Sequence, residues 1–136
     1  MQKKSVSKLK KDLDLWFSLF IRLRNATLEG VCQCFTCGKI GYYKTMQNSH
    51  FQSRKHLSTR FNEENCQVGC VKCNVFNYGE QYKFSVALDN KYGEGTAKDL
   101  ELLAKQTIKI SRSDYEEKIT YYKEVVKKLK KQKNIE

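Results

Sequence analysis

The sequence predicts a mainly helical α+β fold with a cysteine-rich centre. Near both ends of the 136-residue chain, apolar residues recur at steps of three and four, as on one face of an amphipathic helix. Between residues 30 and 79 the pattern changes to cysteines, glycines, aromatics and short extended runs. The chain has no proline, no repeat and no low-complexity linker, so we expect a single domain over residues 1–136.

The N-terminal helix is predicted over residues 4–26. Its apolar stripe, which we interpret as core rather than as a base-stacking surface, consists of Leu9, Leu13, Trp16, Phe20 and Leu23. The apolar run LWFSLFI within it is too short for a signal-peptide core and is followed by Arg22 and Arg24. We therefore predict neither export nor a membrane span, and expect the chain in a reducing cytoplasm.

In a reducing compartment, six cysteines are better explained as thiolate ligands than as disulfides. Two CxxC pairs are present, Cys34 with Cys37 and Cys70 with Cys73. Four thiolates at this spacing indicate a structural Zn²⁺, which performs no chemistry because a four-cysteine site is coordinatively closed. Cys32 and Cys66 could substitute for a member of a pair, but we expect both to be buried or bystander thiols.

Residues 80–133 are predicted to be helical with a basic tail. EQYKFSVALDNKYG should form a helix that ends at a Gly93 C-cap, and TAKDLELLAKQ a second helix. A last helix should open at Ser113, because Ser113 and Glu116 have the spacing of a capping box. Its predicted apolar stripe is Tyr115, Ile119, Tyr122, Val126 and Leu129, and its other face is lysine.

Positive charge is concentrated at the two ends of the chain. Lys and Arg exceed Asp and Glu by 26 to 15, with the surplus in QKKSVSKLKK and KEVVKKLKKQK. This favours an acidic polymer as partner, most simply a nucleic acid, although a basic helix face can also be merely solvated. The lysines of the last helix that we assign to DNA binding are Lys127, Lys128, Lys130 and Lys131.

The stretch between the CxxC pairs carries the residues that suggest catalysis. His50 is followed by Asn65 and then by Asn74, directly after the last cysteine. A neutral imidazole is available at physiological pH to take a proton from water. The cations that follow His50, where they could grip phosphates beside a scissile bond, are Arg54, Lys55 and Arg60.

This order of a histidine, an asparagine and an asparagine after a second CxxC pair resembles the HNH nucleases. Their core is a hairpin and a helix around one catalytic divalent ion. Beyond that core, DLDLWFSLFIRLRNA, CFTCGK, MQNSHFQSRKHLSTRFNEEN, CVKCNVFNYG and the helix ending KYG resemble the NinG (Rap) recombination nucleases of lambdoid phages, over about residues 5–105. The resemblance implies an HNH ββα-metal core within residues 30–79 and, for a phage-encoded protein, the cytoplasm of a bacterial host.

The activity implied by the resemblance is that of a structure-selective DNA endonuclease acting on D-loops and Holliday junctions. His50 would end the second hairpin strand and act as the base. Asn74 would hold a catalytic Mg²⁺ or Mn²⁺ through its amide oxygen, and Asn65 would brace the loop and orient His50. HNH enzymes usually place Asp or His directly before the base as a second metal ligand, where this chain has Ser49. The candidates for that missing ligand are His56, Glu63, Glu64, Asn77 and Tyr78.

Two other classes of function fit the same zinc site. A non-catalytic zinc-ribbon DNA-binding protein would use the same cysteines and lysines without turnover. A zinc-stabilised adaptor would instead bind a protein partner through its helical stripes. Only the enzyme requires His50. Since junction resolution needs two symmetric cuts, the enzyme interpretation also predicts a homodimer.

Overall fold

The computed structural model describes residues 3–136. Its helices are α1 (Val6–Arg24), α2 (Leu57–Arg60), α3 (Gln81–Tyr92), α4 (Thr96–Ala104) and α5 (Arg112–Gln132). Its strands are β1 (Val31–Gln33), β2 (Ile40–Tyr42), β3 (Gln47–His50) and β4 (Cys66–Gly69). Single turns lie at Leu28–Gly30 and Tyr43–Thr45, and a short π-type helix, which we call the CxxC helix, spans Lys72–Phe76. The predicted helix-rich α+β class is confirmed.

Helix α1 is the central element of the larger core. Ser5 caps it by accepting a hydrogen bond from the backbone N–H of Lys8 at 3.1 Å. The stripe predicted for this helix is buried except for Trp16, which is only partly buried at the edge of the core. Phe17 and Ile21, which the stripe omitted, are fully buried. The buried face of α1 is therefore wider than a single row of residues at steps of four and three.

Helix α5 packs along α1 and covers this core. Its predicted stripe is buried, apart from the partly buried Leu129. The predicted start at Ser113 is wrong, because Ser111 is the N-cap and its side chain accepts a hydrogen bond from the backbone N–H of Asp114 at 3.1 Å. The capping-box spacing does not distinguish the two serines, because both have an acidic residue three positions later. Ser113 lies inside the first turn of α5.

The C-terminal end of α5 is tied back to the segment before β1. The backbone N–H of Glu29 donates to the carbonyl of Lys133 at 2.8 Å, and the Lys133 ammonium donates to the carbonyl of Ala26. Ile135 packs so close to Gly30 that a Cβ there would lie 3.0 Å from its Cδ1. The predicted basic tail is therefore the end of an anchored helix.

Two antiparallel hairpins form the centre of the chain. β1 pairs with β2, and β3 pairs with β4 in a register that places His50 opposite Cys66 and Gln47 opposite Gly69. The first CxxC loop is joined to β4 by a hydrogen bond from the backbone N–H of Phe35 to the carbonyl of Val68 at 2.8 Å. β4 leads directly into the second CxxC pair and the CxxC helix.

Helices α3 and α4 form a smaller core with the loop after β3. Its buried residues are Phe51, Phe84, Leu88, Ala97 and Leu100. α3 ends at Gly93 as predicted, with a φ of +117° and a hydrogen bond to the carbonyl of Asp89. The Ser58 hydroxyl donates to the carbonyl of Leu103 at 2.7 Å and so joins α2 to α4. Within residues 3–136 every helix is too short or too polar to span a bilayer.

Candidate functional site

The four cysteines of the CxxC pairs converge on one point. Their Sγ atoms all lie within 4.8 Å of one another, and those of Cys37 and Cys70 are 3.7 Å apart. Sulfur atoms bound tetrahedrally to zinc at about 2.3 Å are separated by about 3.8 Å. The cluster therefore fits the predicted Zn²⁺, held by thiols from the first CxxC loop (Cys34 and Cys37) and by thiols just before and within the CxxC helix (Cys70 and Cys73).

Cys32 and Cys66 are buried outside this cluster. The Cys66 thiol donates a hydrogen bond to the carbonyl of Arg60 at 3.4 Å, and burial raises its pKa to about 12. Burial also raises the pKa of the Cys32 thiol. Their position outside the four-cysteine cluster fits the predicted role of bystanders.

His50 lies at the end of β3, with its ring half-buried. Its Nε2 is 3.2 Å from the backbone carbonyl of Arg60. A carbonyl oxygen only accepts, so Nε2 carries the proton and Nδ1 keeps its lone pair. Burial lowers the pKa of His50 to about 4, and the charge of Arg54 adds to this effect, while the hydrogen bond to Arg60 and the charge of Asp14 oppose it. The imidazole is neutral at physiological pH, as a general base must be.

Asn65 is fully buried and holds the loop after β3 in place. Its Oδ1 accepts from the backbone N–H of Gln52 at 2.8 Å. Its Nδ2 donates to the carbonyls of Gln52 at 3.1 Å and Thr59 at 3.0 Å. The predicted direct orientation of His50 by this amide is wrong, because the ring is held by the carbonyl of Arg60. The Asn65 amide donates instead to the carbonyl of Thr59, the residue before Arg60.

Asn74 lies in the CxxC helix and faces β3. Its side-chain Nδ2 donates to Oε1 of Gln47 at 2.6 Å, and its backbone N–H donates to the carbonyl of Cys70 at 2.9 Å. Within residues 3–136 its Oδ1 has no hydrogen-bond donor. That oxygen is therefore free to take a ligand.

His50 and Asn74 line one cleft of about 510 Å³ between α1, β3 and the loop after β3. Two of its other lining residues, Asp14 and Asn48, were not among the residues predicted from the sequence. Asn48 Oδ1 is buried and has no hydrogen-bond partner in the described part of the chain. The two-residue alternation of a strand, which puts Asn48 on the side of His50, could have identified it. Asp14 has no such signal, because it reaches the cleft from a helix distant in sequence.

Arg60 is engaged inside the protein. Its guanidinium forms a bidentate ion pair with Asp14 and donates to the carbonyl of Arg54 at 2.9 Å. Only 14% of its side chain is exposed. This geometry does not support the predicted phosphate contact by Arg60, since each of its three guanidinium nitrogens already donates a hydrogen bond inside the protein. Arg54 and Lys55 are exposed, and Arg54 lines the cleft.

Ser49, which stands where HNH enzymes usually have a metal ligand, is buried against β4. A Cβ added to Gly69 would collide with its hydroxyl oxygen. Its side chain therefore packs against the glycine of the partner strand, and Ser49 does not line the cleft.

The five candidates for a second metal ligand are separated by the fold. His56 and Tyr78 share a second opening with His50 and Asn74. Glu63 instead accepts a hydrogen bond at 2.9 Å from the hydroxyl of a tyrosine of α5. Glu64 and Asn77 are exposed and line neither opening. Only His56 and Tyr78 therefore remain near the predicted base.

The lysines assigned to DNA binding lie along the end of α5. Lys127, Lys128 and Lys131 are exposed, and Lys130 is half-buried. The apolar stripe of the same helix is turned toward α1. These ammonium groups are thus available to an external polyanion.

Residues 1–133 match the family model described as bacteriophage lambda NinG protein. The chain belongs to the NinG family. The match confirms the resemblance to NinG and extends it through α5 to residue 133. Membership implies a role related to phage recombination. In this NinG chain the matched region contains the whole four-cysteine cluster and the cleft beside it. No curated protein and no solved structure was matched.

Proposed function

We propose that this NinG protein is a metal-dependent, HNH-type DNA endonuclease that cuts branched recombination intermediates such as D-loops and Holliday junctions. The observation that carries the proposal is the state of His50. Its imidazole is neutral, one ring nitrogen is fixed by the Arg60 carbonyl, and the ring lines an open cleft shared with Asn74. A buried structural histidine would need no such opening.

The order of elements supports the HNH interpretation. The β3–β4 hairpin is followed directly by the CxxC helix, with the proposed base at the end of β3 and Asn74 on the helix. This is the order expected of a ββα-metal core. Cys70 and Cys73 anchor the CxxC helix to the four-cysteine cluster, so a bound zinc would fix the wall of the cleft.

The chemistry assigned to the chain is proton abstraction from water beside a phosphodiester. Nδ1 of His50 takes the proton, and the hydrogen bond from Nε2 to the Arg60 carbonyl stabilises the imidazolium that forms. The Arg54 guanidinium at the rim can neutralise the charge that develops on the phosphate. The bidentate ion pair between Arg60 and Asp14 keeps the carbonyl in place.

The donors in the cleft fit a hard divalent cation. Asn48 and Asn74 line the cleft, and their side-chain amide oxygens have no hydrogen-bond partner in the described part of the chain, while both carboxylate oxygens of Asp14 are paired with Arg60. Mg²⁺ or Mn²⁺ commonly uses one or two protein oxygens and completes its shell with water and phosphate. Such an ion would polarise the phosphate and stabilise the leaving oxygen.

The DNA-binding part of the proposal rests on charge. The formal net charge is +11, and the lysines of α5 form an exposed cationic face. Cations spaced along a helix bind phosphates without reading sequence. The alternative, a non-catalytic zinc-ribbon DNA-binding protein, uses the same charges but assigns no role to a neutral histidine in a cleft. Homodimer formation for two symmetric cuts stays a prediction.

The test is cleavage of a synthetic four-way junction by zinc-loaded protein, with and without added Mg²⁺ or Mn²⁺. We expect nicks only with the added ion, with 5′-phosphate and 3′-hydroxyl ends that a ligase can reseal. Asn74→Ala should raise the ion concentration needed for half-maximal rate. Asn77→Ala, at an exposed position just beyond the CxxC helix, is the matched control. A protein that binds the junction but never cuts it would be the zinc-ribbon binder.

A further inference from the structure

Three aromatic side chains stand in solvent where the CxxC helix passes into α3. Phe76 is 72% exposed, Tyr78 89% and Tyr82 80%. We call these three residues the aromatic platform. Valines at 71, 75 and 86, also exposed, extend the apolar surface on either side. Exposed apolar residues grouped in one short segment mark an interaction site more often than a scattered single residue does.

The backbone holds this platform in an unusual conformation. Tyr78, Gly79 and Glu80 have φ values of +54°, +83° and +52°. A left-handed conformation is uncommon for residues with a side chain, above all for one as large as tyrosine. The segment is fastened to the zinc cluster, since the backbone N–H of Gly79 donates to the carbonyl of Cys73 at 2.8 Å. The rings are thus presented from a fixed turn.

The platform borders the proposed active site. Tyr78 and Gly79 line an opening of about 410 Å³ together with His50 and Asn74. A strand whose phosphate lay at His50 would therefore carry its neighbouring nucleotides toward Tyr78.

The charges around the platform fit a polyanion. Between Cys66 and Leu88 the one acidic residue is Glu80, which forms an ion pair with Lys83 at 3.7 Å. Lys72 is exposed on the CxxC helix, and Arg54 lies at the cleft. Aromatic rings interleaved with cations are the usual composition of surfaces that bind single-stranded nucleic acid, because bases stack on the rings while phosphates contact the cations.

We propose that the aromatic platform stacks the unpaired bases of the DNA strand that enters the cleft, and so selects branched positions over continuous duplex. The placement of the strand rests on the proposed nuclease function. In a duplex each base is covered by its neighbours, whereas bases at a branch point or in a single-stranded arm have free faces. Loss of one stacking ring should weaken binding on the order of tenfold.

The experiment measures binding without Mg²⁺ or Mn²⁺, so that it does not depend on cleavage. The probes are a Y-shaped DNA with 2-aminopurine in its unpaired arms and a fully paired duplex of equal length. Wild type should change the 2-aminopurine fluorescence by stacking. The double variant Phe76→Ala, Tyr82→Ala should lose at least about tenfold in affinity for the Y-shaped DNA, and less than about twofold for the duplex. Tyr82→Phe should bind like wild type.

The matched control is Tyr121→Ala, which removes a 57% exposed tyrosine from α5. It should change neither affinity. Equal losses for both DNAs, or no loss for either, would overturn the proposal, and the second result would instead favour a protein partner for this surface. Failure of the nuclease proposal would be seen separately. In that case the wild-type protein would bind the Y-shaped DNA through the platform but would not cut it when Mg²⁺ is added. Zinc content and melting temperature verify that the variants fold.

Discussion

Arg60 connects two residues that are distant in sequence. Its guanidinium pairs with Asp14 of α1, and its backbone carbonyl accepts a hydrogen bond from Nε2 of His50. We therefore regard Asp14 and Arg60 as positioning residues for His50. His50 and Arg60 were both predicted site residues, but Arg60 was predicted to contact a DNA phosphate. A side chain's type limits what it can bind, whereas its partner depends on long-range packing, which local spacing does not encode.

The low pKa of His50 predicts the pH dependence of cleavage. Burial is the main cause, and the charges facing the ring are those of Arg54, Arg60 and Asp14. Because the pKa lies near 4, lowering the pH from 7.5 to 5.5 should leave the ring neutral and the single-turnover rate nearly unchanged. An imidazole of ordinary pKa would be about nine-tenths protonated at pH 5.5. A roughly tenfold fall over this range, in protein that retains its zinc, would contradict the assignment.

Asn65→Ala should destabilise the protein. The change leaves the backbone N–H and carbonyl of Gln52 without their side-chain partner, and it removes one of the hydrogen bonds that the carbonyl of Thr59 accepts. We expect the free energy of unfolding, measured by urea denaturation of the zinc-loaded protein, to fall by about 2–4 kcal/mol. The exposed Asn77→Ala should change it by less than about 0.5 kcal/mol. Similar small losses for both variants would show that the loop is held by other contacts.

Among the elements, the helices of nine residues or more were predictable and the shorter elements were not. Apolar residues at steps of three and four predict α1 and α5, and Gly93 predicts the end of α3. These elements could be predicted because each signal lies within the element itself. The strands have three or four residues, too few for a two-residue alternation to be recognised. The predicted hairpin came from the family resemblance, and its register depends on packing against α1 and the CxxC loops. The left-handed backbone conformation of Tyr78, where the turn before α3 begins, has no local sequence signal either.

The lysine face of α5 should supply phosphate contacts without sequence information. Truncation is a poor test, because Lys133 and Ile135 anchor the helix end. The triple change of Lys127, Lys128 and Lys131 to Gln should weaken junction binding at low salt. It should also reduce the slope of log affinity against log salt by about one unit per lost contact. Lys109→Gln, exposed and outside α5, is the control. An unchanged slope would mean that this face is only solvated.

At the scale of the whole molecule, the four-cysteine cluster contacts both apolar cores, because the larger core contains Cys34, Cys70 and Cys73 and the adjacent Phe35 packs against the smaller one. The larger core lies between α1 and α5 and the smaller one between α3 and α4. A chain of this size gains from a metal that ties its loops together. The cluster was predictable because each CxxC pair is a local motif of known chemistry. The cleft was not, since it is assembled from α1, β3 and the CxxC helix.

Zinc removal should unfold the centre of the molecule. Site formation and folding share a free energy on the order of 10 kcal/mol in small zinc modules. Cys34→Ser and Cys73→Ser should therefore lower the melting temperature as strongly as chelation does. Cys32→Ser should be milder, because this thiol lies outside the cluster. Metal analysis should find about one zinc per folded chain. Equal losses for the three variants would show that the ligands are assigned wrongly.

The most direct test of the central claim is the single-turnover cleavage of a four-way junction by His50→Ala and wild type at equal zinc content. Removing the imidazole abolishes proton abstraction but leaves the cysteine cluster and the cationic surfaces intact. We expect the cleavage rate to fall by roughly 10²- to 10⁴-fold while junction affinity stays near that of wild type. Cleavage at the wild-type rate, in protein free of contaminating nucleases, would contradict the account and make His50 a structural residue.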